Sequence, residues 1–262
     1  MKSIIFLLPF LWLVPQGITE MPASKESTTI KKERKFNRNF FRFGDRLVIM
    51  EKYRSAEQQL YLLVGLHSNE SPVISAAMKF ANENDLDFLK LNNEGKKNIE
   101  AQLLNKAVSF DPDRILTVTG RKKHLKSNKC WSGAVNGHVF RFSLFVTNEF
   151  TDYQSLVSLH SDTHVRMSDY EEGGRLAKGV GGVVRGNAAD ESFLITNDRE
   201  VFDQLKRLSF NAVYVDGAKM PDDGSLNVYC NKTGRNYVQV QVFPGEEAAI
   251  ERMLRAVDAI LK

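Results

Sequence analysis

The chain has 262 residues, of which 42% are apolar and 26% charged, with a net charge of +4. Those fractions are those of an ordinary globular protein, and the length suffices for one α/β domain with a substantial core. The charge is too modest, and its basic residues too little joined to a reading motif, to point to nucleic acid; two cysteines with no Cys-x-x-Cys pair argue against a thiolate zinc site.

The N-terminus has its own composition. Lys2 precedes an apolar run from Ile4 to Val14, followed by Pro15, Gln16 and Gly17. This is the pattern of a secretory signal peptide over residues 1–24, too short for a comfortable membrane span; an uncleaved anchor is the alternative, and only then is a membrane partner expected. Export to the periplasm or beyond follows, and it permits a disulfide between Cys130 and Cys230, which sequence separation leaves open. Residues 25–42 read as a polar, basic leader whose aromatics dock near its end, and residues 43–262 as a single α/β catalytic-type domain.

Arg46–Tyr53 reads as a strand. The run Leu60–Leu66 is short and unbroken in its apolar character, as expected of a strand buried on both faces of a parallel sheet. It delivers His67, and Glu70 follows three positions later. Ser71 then suits an N-cap and Pro72 the first turn of a helix carrying Val73, Ala76, Ala77, Phe80 and Ala81 on one face. His67 and Glu70 therefore fall at the carboxyl end of a strand, where open α/β sheets bind ligands. Imidazole and carboxylate at this spacing suit a metal, although by pattern alone they more often form a hydrogen-bonded polar pair.

Asp87–Asn92 reads as the next strand, and Asp111-Pro112-Asp113 as a tight turn whose carboxylates bond nearby backbone N–H groups. Arg114 follows that turn, positioned either for a surface ion pair or for two-pronged contact with a substrate carboxylate. Residues 120–137 are basic and loop-like, and 138–151 have helical spacing with a strand as the alternative. Ser155–His160 repeats the earlier design, an apolar strand ending in a histidine. If it neighbours the first strand in parallel, His160 and His67 emerge on one edge within reach of a single ion; His164 lies past the strand in a loop. The glycine-rich run over residues 170–190 lacks the features of a phosphate cradle and reads as a flexible loop over the site. Ser192–Thr196 and Asn211–Val215 read as strands flanking a helix capped by Asp198. Leu226–Cys230 and Tyr237–Phe243 read as a terminal hairpin, followed by a final amphipathic helix. The sum is a three-layer α/β sandwich with a mixed, mostly parallel central sheet.

The ordered segments Gly65-Leu-His67-Ser-Asn-Glu70, Phe110-Asp-Pro-Asp-Arg114-Ile, Leu159-His160-Ser-Asp-Thr, Ser192–Asp198, Asp222–Leu226 and Tyr237-Val-Gln-Val-Gln241 resemble the zinc carboxypeptidase-like family, of metallocarboxypeptidase and succinylglutamate desuccinylase–aspartoacylase type, in its exported bacterial branch. The resemblance implies zinc held by His67, Glu70 and His160. It implies that an Asn-Arg pair holding a substrate carboxylate falls on Asp113 and Arg114, the amide having become an acid. It places the family's general-base glutamate on Gln241, whose amide can bond water but cannot take its proton. Glu246 and Glu247 lie a few residues on. Two functions are then expected: a zinc hydrolase of a peptide or small amide substrate bearing a carboxylate, or a catalytically impaired relative that keeps the metal and binds such a ligand; the third reading is an α/β domain whose two histidines are structural and metal-free.

Overall fold

A computed structural model describes residues 35–262, apart from residue 163 and residues 187–191, and the side chain of residue 247 also falls outside it. The expected signal segment and most of the leader thus lie outside the described residues. The strands are β1 (Lys35–Phe43), β2 (Arg46–Arg54), β3 (Tyr61–Gly65), β4 (Phe88–Asn92), β5 (Ile99–Leu103), β6 (Lys106–Phe110), β7 (Ser155–Ser161), β8 (Val180–Val184), β9 (Phe193–Thr196), β10 (Ala212–Val215) and β11 (Asn236–Val242). The helices are α1 (Ser71–Glu83), α2 (Val118–Ser127), α3 (Gly133–Thr147), α4 (Arg199–Arg207), α5 (Leu226–Thr233) and α6 (Glu247–Leu261).

Nine strands form one sheet in the order β1-β2-β4-β3-β7-β11-β9-β10-β8, and β5 with β6 forms a separate hairpin. The central strands β4, β3, β7 and β11 run parallel, while β1, β2 and β4 at one side and β11 with β9 pair antiparallel. Because strand side chains alternate between faces, each central strand feeds two cores. Leu62 and Val64 of β3, Leu156 of β7 and Tyr237 of β11 pack with Leu125, Val139 and Phe142 of α2 and α3. Tyr61, Leu63, Val157, Val238 and Val240 pack instead with Ala77, Phe80, Phe202 and Met253 of α1, α4 and α6. Helices therefore cover both faces, which is the expected three-layer mixed α/β sandwich.

Several local expectations change. Residues 35–43, assigned mostly to the leader, form edge strand β1, paired along its length with β2. The basic stretch 120–137 is largely helical: Thr117 caps α2 by accepting the Gly120 N–H, and Ser132 caps α3 by accepting the Val135 N–H. Leu226–Cys230 is helix, not strand, so there is no terminal hairpin. Ser225 accepts the Val228 N–H at its start, and Gly234, at φ +69°, ends it in the left-handed conformation that glycine adopts without penalty. Part of the glycine-rich run is strand β8, held against β10. Glu70, not Ser71, occupies the cap position of α1, with no side-chain cap bond. Cys130 and Cys230 are both buried free thiols.

Candidate metal centre

The parallel register of the four central strands sends their carboxyl ends to one rim. β3 ends at Gly65, and His67 follows on a turn closed by the Glu70 N–H donating to the His67 carbonyl at 3.3 Å. β7 carries His160 to the same rim, directly opposite Gln241 of β11 in the ladder. Ligand atoms of His67, Glu70 and His160 all lie within 4.8 Å of one another, the first two residues buried and the third partly so. His67 Nδ1 is 3.3 Å and His160 Nδ1 3.7 Å from Glu70 Oε1, and the two rings meet edge to face at 5.2 Å.

The proton on His67 is placed by a residue that sequence reading missed. His67 Nε2 lies 2.8 Å from Asp111 Oδ1, which also accepts the Asp113 N–H at 2.8 Å. With Nε2–H donating to Asp111, Nδ1 is left with a lone pair aimed at a carboxylate. His67 Nδ1 and Glu70 Oε2 are buried and make no hydrogen bond. A buried imidazole lone pair 3.3 Å from a carboxylate oxygen needs a positive charge between the two. A proton can supply it: burial opposes charge on His67, but hydrogen bonds and attraction from Asp111 and Glu70 prevail and raise its pKa to about 10. Burial likewise pushes Glu70 upward, and His160 and His67 overcome it, holding the carboxyl down at about 2. A divalent cation answers the same field better, since two imidazole nitrogens and a carboxylate oxygen are a zinc-type donor set that leaves a coordination position open. The residues present therefore fit a metal. Asp111 stands where an outer carboxylate would orient His67 as a ligand, and burial acts against its charge while His67 holds it well below the usual carboxylate range. His124 of α2 steadies this partner in turn, its Nε2 accepting the Asp111 N–H at 2.9 Å.

Beside the triad runs a cleft of about 250 Å³. Its lining includes the polar Asp113, Arg114, Asp162, Asp223 and Asn227 and the apolar Val165, Ile195, Val215 and Met220. Arg114 is the last residue of the 3₁₀ turn Pro112–Arg114, directly after Asp-Pro-Asp. Its guanidinium is bound by Asp223. Burial works against the arginine's charge, and Asp223, Asp113 and Asp111 more than offset it. Asp113 does not face outward as a surface acid: it is buried, and its Oδ1 accepts the Leu226 N–H of α5 at 2.8 Å. Burial holds its carboxyl above the usual range.

The segment bearing Arg114 is stitched to the loop bearing Asp223. The Leu116 N–H donates to the Gly224 carbonyl at 2.9 Å, and the Thr117 hydroxyl bonds Asp222 at 2.5 Å. Gly120 sits so close to this loop that a Cβ there would stand 2.0 Å from Gly224 N.

Tyr237, Gln239 and Gln241 share one face of β11 and form a hydrogen-bonded file. Ser158 Oγ and Tyr237 Oη are 2.6 Å apart, the tyrosine hydroxyl donates to Gln239 Oε1 at 3.0 Å, Gln239 Nε2 donates to Gln241 Oε1 at 3.0 Å, and Gln241 Nε2 reaches the Asp162 carbonyl at 3.4 Å. Gln241 thus lies on the cleft with both ends of its amide engaged. Glu246 is turned elsewhere: it accepts the Ser192 hydroxyl and does not line the cleft. His164 stays in its loop, its N–H bonded to Asp162 at 2.7 Å.

The sequence matches no protein-family model, and no curated protein matches it. Among solved structures the chain is similar to a putative metallopeptidase from Shewanella denitrificans, at 11% identity and TM-score 0.40 over 86% of this chain and 82% of that one. It is similar to an aspartoacylase family protein from Mesorhizobium loti, at 12% identity and TM-score 0.42 over 86% and 67%. A metallo-carboxypeptidase from Burkholderia cenocepacia matches at 7% identity and TM-score 0.44 over 86% and 64%.

Proposed function

We propose that the chain is a zinc-dependent hydrolase of a peptide or amide bond, carboxypeptidase-like in its substrate, acting outside the cytoplasm. The observation that carries this reading is the convergence of His67, Glu70 and His160 with buried, unpaired lone pairs on Nδ1 and Oε2. Zinc held there would polarise a scissile carbonyl and acidify a water. The chain's own residues would do the rest. Asp111 fixes the tautomer and tilt of His67. Arg114 would receive a substrate carboxylate in exchange for Asp223, because a guanidinium fork matches either acid. Apolar Val165, Ile195 and Met220 would exclude water from the part of the cleft they line.

A second reading is favoured by Gln241. An amide at this place orients water but accepts no proton, and its hydrogen bonds to Gln239 and Asp162 hold it there. The chain would then bind a carboxylate-bearing peptide without cutting it.

Two measurements separate the possibilities. Metal analysis of the purified chain should give about one zinc per chain, lost in His67→Ala and His160→Ala; a metal-free chain that takes up none from buffer ends both readings. Gln241→Glu should raise hydrolysis of short peptides by about 10²–10⁴-fold if the native enzyme lacks only a base. A native chain that cleaves nothing while this variant cleaves would establish the binding reading.

A further inference from the structure

Acidic residues make up 32 of the chain's 262, about one in eight, yet residues 115–148 contain none. That stretch forms α2 and α3, which pack together on one face of the sheet. It carries Arg121, Lys122, Lys123, Lys126, Lys129 and Arg141, and among the described residues none of these is in an ion pair. All but Arg121 are exposed. Large apolar side chains are exposed among them: Val118 at 71%, Phe140 at 42% and Leu144 at 41%. Phe140, Arg141 and Leu144 lie on one exposed stripe of α3, three and four residues apart.

The two helices present these groups together. The Arg121 guanidinium stacks 4.9 Å from the Phe140 ring centre, and Lys122 Nζ lies 5.7 Å from that of Trp131. A solvated basic surface would ordinarily intersperse carboxylates and hide its rings. Cations mixed with exposed aromatic and aliphatic side chains are the composition that settles at a lipid–water interface, the charges on headgroups and the rings at the acyl boundary. We propose that the α2–α3 face is a peripheral docking surface for an anionic phospholipid bilayer. A soluble polyanion would use the cations and leave Phe140 and Leu144 without a role. No helix among the described residues is long and apolar enough to cross a membrane, so the contact is one of adsorption. It does not depend on the metal centre, which lies at the strand ends.

The test uses the full chain and vesicles of phosphatidylcholine with and without phosphatidylglycerol. The chain has two tryptophans, so Trp12→Phe leaves Trp131 as the only indole reporter and separates this face from the apolar N-terminal stretch. Cosedimentation should occur with the anionic vesicles only, weaken at about 0.15 M salt, and bring a blue shift of Trp131. Lys122→Glu with Lys126→Glu should weaken partitioning at least about tenfold, since each reversal removes an attraction and adds a repulsion. Phe140→Ser with Leu144→Ser should reduce it while leaving the charge intact. These side chains are exposed, so wild-type circular dichroism and melting are expected in both. Adsorption that survives the charge reversal with Trp131 unshifted overturns the proposal and assigns binding to the N-terminal stretch. Binding to DNA or polyphosphate that is stronger than to vesicles and indifferent to the serine variant overturns it in favour of a soluble polyanion.

Discussion

Asp111→Asn isolates what a carboxylate behind a ligand contributes. The substitution keeps an oxygen for the Asp113 N–H and keeps the shape of the turn, but removes the charge 2.8 Å from His67 Nε2. Two effects of opposite sign follow, and only the first depends on pH. Zinc needs a neutral imidazole, so at a wild-type His67 pKa of about 10 each pH unit below that costs a factor of ten in apparent affinity. At pH 7 this amounts to roughly 10³-fold, or about 4 kcal/mol. Without Asp111 the strongest upward influence on that pKa is gone and burial pulls it down, so the proton competes less in the variant. Against this, the ligand loses basicity and orientation, typically about 10–100-fold in metal affinity, or about 1.4–2.7 kcal/mol. Zinc affinity of the two proteins, measured by competition against a chromophoric chelator from pH 6 to pH 10, should therefore shift in the variant's favour as pH falls. At pH 10, where proton competition in the wild type has nearly ended, the variant should be weaker by close to the full factor of about 10–100. Curves that stay parallel across the range would refute the assignment of Asp111 to His67.

Other consequences can be measured separately. The raised His67 pKa stabilises the metal-free fold fully below the unfolded value of about 6.5, and that contribution is lost as pH rises through about 10; the melting temperature of the metal-free protein should fall over this interval, and zinc should flatten the fall. Tyr237→Phe leaves Ser158 and Gln239 without their buried partner and should cost about 1–3 kcal/mol in urea unfolding. Gly120→Ala drives a Cβ into the backbone of Gly224, and as an overpacked position it should cost about 1–3 kcal/mol or more, read as a lowered denaturation midpoint with unchanged slope.

How much of this was legible in the sequence depended on how local each signal is. Leu60–Leu66 and Ser155–His160 announce themselves because a run buried on both faces must be apolar throughout, and a polar residue at its end marks the rim. Hence His67, Glu70 and His160 could be brought together before any coordinates. Asp111 could not, because its contact with His67 spans 44 positions and its carboxylate already had a local explanation in the turn, which it also fulfils through the Asp113 N–H. Nor could the partner of Arg114, since Asp223 is 109 positions away. α2 escaped notice because Gly120, Arg121 and Leu125 are its buried positions and only one is a large hydrophobe, so its hydrophobic period is faint. Leu226, Val228 and Cys230 alternate as in a strand, but the cap from Ser225 and the left-handed Gly234 make the segment helix α5.

The stitching around Arg114 bears on how a ligand could gain that arginine. Leu116, Thr117 and Gly120 fasten its segment to the loop of Asp222–Gly224 at three points, one of them backbone pressed on backbone. The loop cannot swing aside without dragging the start of α2 with it. A carboxylate reaching Arg114 would then have to displace the Asp223 side chain alone, breaking its pairing with the guanidinium and its bond from the Ser225 N–H, so that admission to the site would be governed by competition between two acids for this cation and not by the opening of a gate.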